Sequence, residues 1–173
     1  MKKLVLIFLV FISVFSFGNE DFTKNEKNTV LKQFTEFQKA VKNKDVKALE
    51  KFIDGSLYGI VLNDGPAYSS NIGSTSYDEI VKYKNKFFKS INNVTLVKVD
   101  LKNNEVIEYT KGDETISGIF SVMEADNDLW GNKGDKLFEI SDFYDDPEYP
   151  GVTRYIFKMK GSQLKFISIH SMP

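Results

Sequence analysis

A single histidine, His170, stands near the end of this sequence. It is the only side chain here whose unperturbed charge changes near neutral pH. As a general base, His170 would need a hydroxyl to activate and a carboxylate to orient its ring. Hydroxyls are at hand in Ser168, two residues before it, and in Thr153, one strand earlier. No orienting carboxylate can be identified, so the same residues also read as an ordinary polar strand end.

Two acidic stretches could instead hold a cation. Asp126-Asn-Asp128-Leu-Trp130-Gly131-Asn132 imitates the opening of a calcium loop, with acids at positions one and three and Gly at six. Trp130 occupies position five, and Leu137 falls at position twelve, where a bidentate Glu is needed. An Asx-rich turn is the plainer reading. Asp142, Asp145, Asp146 and Glu148 form a second acidic patch, in which Asp145 and Asp146 are the candidate calcium ligands. A run of this kind is more often a solvated loop. The Lys82, Lys86, Lys89 face reads in the same way as a wetted helix surface.

Aromatic residues are abundant, with 15 Phe, 8 Tyr and 1 Trp. Most must fill a core. Tyr58, Tyr68, Tyr109 and Tyr155 carry a hydroxyl as well, so each could line a ligand cavity. There is no nucleophile-elbow motif, no metal-ligand spacing and no Gly-rich phosphate loop, so no cofactor is implied. The formal net charge is −1, and Arg154 is the only arginine. Arginine is the preferred fork for phosphates and base edges, so a nucleic-acid partner is not expected.

These residues must be positioned by helices followed by strands. Residues 19–28 read as a polar lead-in to a domain over 29–173. Val30, Phe34, Phe37 and Val41 recur at spacings of four, three and four, one face of a helix. Asp45 can cap a short second helix through Ala48, Leu49, Phe52 and Ile53, ended by Gly55. A strand is expected over 57–62, a turn at 63–66 and a further strand over 67–72. Ser76 and Glu79 form a capping box that opens a third helix reaching Ser90. Strands are then expected at 94–101, 106–110, 115–123, 137–143, 153–160 and 163–170. Gly161-Ser162 suits a two-residue hairpin turn. In that register Met159 faces Leu164, Phe157 faces Phe166, Tyr155 faces Ser168 and Thr153 faces His170. The face is apolar near the turn and polar at the far end, as at a pocket mouth. Tyr155, Thr153, Ser168 and His170, with Tyr109, are therefore the candidate ligand-binding residues.

The first residues supply an address. Lys2 and Lys3 precede a short apolar run over 4–15, and Ser16-Phe17-Gly18 follows. This is the pattern of a secretory signal peptide over 1–18, cleaved near Gly18. It implies a periplasmic or secreted protein with no stable membrane anchor after cleavage. The chain has no cysteine, so there is neither a disulfide nor a lipid-bearing cysteine. The partner expected is an envelope ligand or protein.

The stretch Phe37-Gln-Lys-Ala-Val-Lys-Asn-Lys-Asp45-Val-Lys-Ala-Leu-Glu-Lys-Phe52 resembles the first two helices of the NTF2-like (cystatin-like) α+β superfamily. The ending Tyr155-Ile-Phe-Lys-Met-Lys-Gly-Ser-Gln-Leu-Lys-Phe-Ile is similar to its terminal hairpin. Phe52-Ile-Asp-Gly-Ser-Leu-Tyr58-Gly59, with Gly65 and Tyr68, also looks like a group of uncharacterised secreted bacterial proteins. The resemblance runs over residues 29–170 at the level of element order. It implies an α+β fold with N-terminal helices packed on a strongly curved antiparallel sheet, an NTF2-like cone. Enzymes of that superfamily carry an Asp–His or Asp–Tyr pair in the pocket, and no such motif is matched here residue by residue. Three functions stay open: a non-catalytic binding module, a small isomerase or hydrolase using His170, and an envelope immunity or inhibitor protein acting through the loop 142–149.

Overall fold

The computed structural model describes residues 22–60, 62, 73–127, 130–144 and 151–172. The signal-peptide stretch, the turn at 63–66, the expected strand at 67–72, Tyr68, Asp128, Asp145 and Asp146 lie outside the described residues.

Helix α1 (Lys24–Lys42) starts at a capping box. The Glu26 backbone N–H donates to Thr23 Oγ1, and the Thr23 N–H donates to the Glu26 carboxylate. Residues 24–28 are therefore the first turns of the helix, where the sequence reading had a lead-in. The Lys136 ammonium also donates to both Glu26 oxygens at 2.8 Å, tying the helix start to the sheet. That contact, then the bonds from Thr23, lowers the Glu26 carboxyl from 4.5 to about 2. A depressed carboxyl favours folding above its unfolded value, and the gain is lost as pH falls through the folded value. Glu26→Gln keeps a capping-box side chain and removes the charge. Its melting temperature should lie below that of the unaltered protein at neutral pH, and the gap should close between pH 4.5 and about 2. A gap independent of pH would contradict the assignment.

Val30, Phe34, Phe37 and Val41 face inward as their spacing requires, with Leu31, Gln38 and Ala40 beside them. Asp45 accepts from the Ala48 N–H at 3.0 Å and caps α2 (Val46–Leu49). One 3-10 turn, Glu50–Phe52, leads directly into β1 (Ile53–Tyr58). Gly55 therefore lies inside a strand and does not end the helix, and the strand comes earlier than 57–62. After β2 (Ser74–Ser76), the Ser76–Glu79 capping box opens α3 (Tyr77–Lys82). The expected third helix breaks at Tyr83 and resumes as α4 (Lys84–Ser90).

A 3-10 segment, Asn92–Thr95, follows where a strand was expected. The strands after it are β3 (Lys98–Asp100), β4 (Glu105–Ile107), β5 (Tyr109–Lys111), β6 (Glu114–Val122), β7 (Lys136–Tyr144), β8 (Gly151–Lys160) and β9 (Gln163–Met172). Seven of the nine described strands form one sheet in the order β2-β1-β9-β8-β7-β6-β5. Among the described strands only the β1–β9 pair is parallel. The fold is α+β, with β3 and β4 forming a separate small ribbon.

The inner sheet face is built from alternate residues, since strand side chains have period two. Phe138 and Ile140 on β7, Tyr155 and Phe157 on β8, and Leu164 and Phe166 on β9 are all buried. The rings of Phe34 and Phe37 stand on this face against Phe138, Phe157 and Phe166. Gln33 clamps α1 to the β8–β9 turn, donating to the Ser162 carbonyl at 2.7 Å and accepting from the Leu164 N–H at 2.9 Å.

Candidate functional site

The terminal hairpin starts in the expected register. Met159 faces Leu164, and Phe157 faces Phe166. A β-bulge then inserts one extra residue on β9, Ile167, between the partners of Phe157 and Ile156. A one-residue slip moves every later side chain to the other sheet face. Ser168 now pairs with Ile156, Ile169 with Tyr155, His170 with Arg154 and Ser171 with Thr153. The expected grouping of Tyr155, Thr153, Ser168 and His170 on one face is corrected: the first two stay inside, and the last two lie on the outer face.

On that outer face the His170 ring meets Trp130 edge-on, at 6.1 Å between centroids. No carboxylate is hydrogen-bonded to His170 among the described residues. Trp130 is held by the turn that resembled a calcium loop. Asp126 accepts from the Lys133 N–H at 2.7 Å, Asn127 from the Trp130 N–H at 3.2 Å, and Asp135 from the Asn132 N–H at 2.7 Å. Asp135 also pairs with Lys158. These carboxylates serve their own loop, and no group of three metal-ligating side chains occurs among the described residues.

The inner face ends in an open cavity of about 530 Å³. Thr153 and Tyr155 of β8 and Ile169 and Ser171 of β9 form one wall. Gly59 and Ile60, just past β1, close one side, while Ser90 and Asn93 reach in from the helical layer. Glu114 of β6 with Asp142 and Tyr144 of β7 complete it. Tyr109 packs against the core beside Ile116 and is not among the lining residues. Asp142, read from the sequence as part of an acidic loop, is a strand residue with only 5% of its surface exposed.

The polar groups of the cavity are tied to the scaffold. Gln38, buried on α1, donates to the carbonyls of Val94 at 2.7 Å and Val97 at 3.0 Å, which fixes the 3-10 segment that carries Asn93. The Asn93 amide nitrogen donates to Asp142 Oδ2 at 2.7 Å and to Glu114 Oε1 at 3.1 Å. Asp142 Oδ1 is buried and has no hydrogen-bond partner among the described residues. The Tyr155 hydroxyl donates to the Ser90 carbonyl at 3.3 Å, and the Thr153 and Ser171 hydroxyls lie 3.0 Å apart. Burial, then the nearby charges of Asp142 and Glu114, pushes the Tyr155 phenol above its ordinary range. It stays a neutral hydrogen-bond donor. The chain matches no family model, no curated protein and no solved structure.

Of the sequence candidates, Tyr155 and Thr153 come together in the cavity. Glu114, Asn93 and the inward role of Asp142 were missed. The pertinent signal was Phe138, Ile140, Asp142 at period two, which puts a carboxylate on an otherwise apolar strand face.

Proposed function

We propose that this chain is an exported envelope domain that works as a non-catalytic binding module and takes a small polar ligand in the cavity at the open end of β7, β8 and β9. The export signal read from residues 1–18 supports the address, and the order of helices and strands supports placing the domain with the NTF2-like cones. The observation that carries the binding reading is the cavity itself. It has a volume suited to a small molecule, and its polar groups are held by Gln38, Asn93 and Ser90. The isomerase or hydrolase reading has little geometric support, because His170 lies on the opposite sheet face with no carboxylate partner among the described residues.

A melting-shift screen against sugars, amines, peptidoglycan fragments and lipids tests this reading. A ligand at about 100 times its Kd should stabilise the fold by about 2.7 kcal/mol, a rise of roughly 5–10 °C. The shift should vanish in Thr153→Trp, which fills the cavity, and persist in His170→Ala. A ligand whose effect survives Thr153→Trp but is lost in His170→Ala would move the site to the outer face and overturn the reading.

A further inference from the structure

We infer that the ligand of this cavity carries an N–H-bearing organic cation, a primary ammonium or guanidinium group, seated on Asp142; the inference rests on the cavity being the binding site. A buried carboxylate oxygen without a donor is unfavourable, because it has lost water and gained nothing in return. Asp142 Oδ1 is such an oxygen, while Oδ2 is already engaged by Asn93. A second carboxylate, Glu114, shares that same amide nitrogen. Among the described residues that line the cavity there is no lysine or arginine. Lys111, the cross-strand neighbour of Glu114, is exposed and bonds to neither carboxylate. The complementary charge must therefore come from the occupant.

The chemistry of the remaining groups narrows the cation. Asn93 turns its amide nitrogen, a donor, towards both carboxylates, and an N–H group cannot ligate a metal ion. Oδ1 and the Ser90 carbonyl are both acceptors, the kind of group to which an ammonium or guanidinium donates its N–H bonds. Tyr144 and Tyr155 add aromatic walls, against which a cation is favoured. A quaternary ammonium has the charge but no proton to give Oδ1.

Four probes of similar shape separate these possibilities: benzylammonium, benzyltrimethylammonium, benzyl alcohol and benzoate, each titrated at millimolar concentration into the purified protein while amide chemical shifts are followed. Benzylammonium should move the Asn93 side-chain amide and the Ile169 and Ser171 backbone signals, and should bind about tenfold more tightly than the alcohol or the quaternary ion. Asp142→Asn should remove that advantage, so that benzylammonium and the alcohol bind alike; Glu114→Gln serves if Asp142→Asn fails to give a dispersed spectrum. If benzyl alcohol or benzoate binds the cavity as tightly as benzylammonium, the cation assignment falls and the cavity reading survives. Equal binding of the quaternary ion removes the N–H requirement and overturns the assignment as stated. Saturable calcium shifts at Asn93 that displace benzylammonium would replace the organic cation by a metal. If every probe leaves the cavity signals unmoved, the cation assignment and the binding reading fall together.

Discussion

Phe37→Ala should lower stability by about 4 kcal/mol, a fall of roughly 10 °C in melting temperature. Phe37 is fully buried, and its ring is the meeting point of three separate elements. It packs edge-on against Phe52 of the 3-10 turn at 5.4 Å, Phe157 of β8 at 5.0 Å and Phe166 of β9 at 5.2 Å. Phe34, one turn away on α1, cannot swing into the gap, because its own ring is held by Phe138 at 5.0 Å and Phe157 at 5.4 Å. The void left by alanine is therefore walled by rings already committed elsewhere, the case in which collapse recovers least. Ile119→Ala, on the outer face of β6 with 47% of its surface exposed, should change stability by less than about 0.5 kcal/mol. Chemical denaturation of both variants measures the difference. Similar losses in the two would mean that α1 is not seated on the sheet through Phe37.

The parts of this fold that could be read from sequence are those set by local chemistry. Asp45 and the Ser76–Glu79 pair were recognisable as caps because a side-chain oxygen three residues from an N–H is a short-range arrangement. Thr23 and Glu26 make the same arrangement, and they were passed over because Lys24, Asn25, Lys27 and Asn28 show no apolar stripe. The Phe157–Phe166 pairing follows from alternation and from the turn at Gly161.

The bulge does not follow in the same way. Phe166, Ile167 and Ile169 put apolar residues on both parities of β9, so the sequence suits either face and only the partner strands decide. That single inserted residue moves His170 out of the site. Asp142 was hidden for a different reason. It opens an acidic run that continues into the following loop, so its strand periodicity with Phe138 and Ile140 competed with a composition signal that pointed to solvent.

Gly59→Ala should cost about 3 kcal/mol in stability and weaken ligand binding at the same time. Gly59 has φ +82°, in the left-handed region, where a side chain alone costs about 1–2 kcal/mol. A Cβ there would also stand 1.7 Å from the Ile169 carbonyl oxygen and 2.9 Å from its carbon. Neither atom is the end of a flexible side chain. Both belong to the β9 backbone just beyond the bulge, so the strand itself would have to move. Gly59 and Ile169 line the cavity together, and the Gly59 N–H donates to the Gly73 carbonyl at 2.9 Å. The displacement would therefore open the wall between β1 and β9. Gly55 provides the control. It has φ +77°, and a Cβ there would meet nothing within 4 Å. Gly55→Ala should show the conformational cost alone, about 1–2 kcal/mol, with ligand-induced melting shifts intact. Melting curves of the two variants, with and without ligand, separate backbone strain from the close approach of the strands. Equal losses in stability with equal retention of the ligand shift would show that β1 and β9 do not need this contact to shape the cavity.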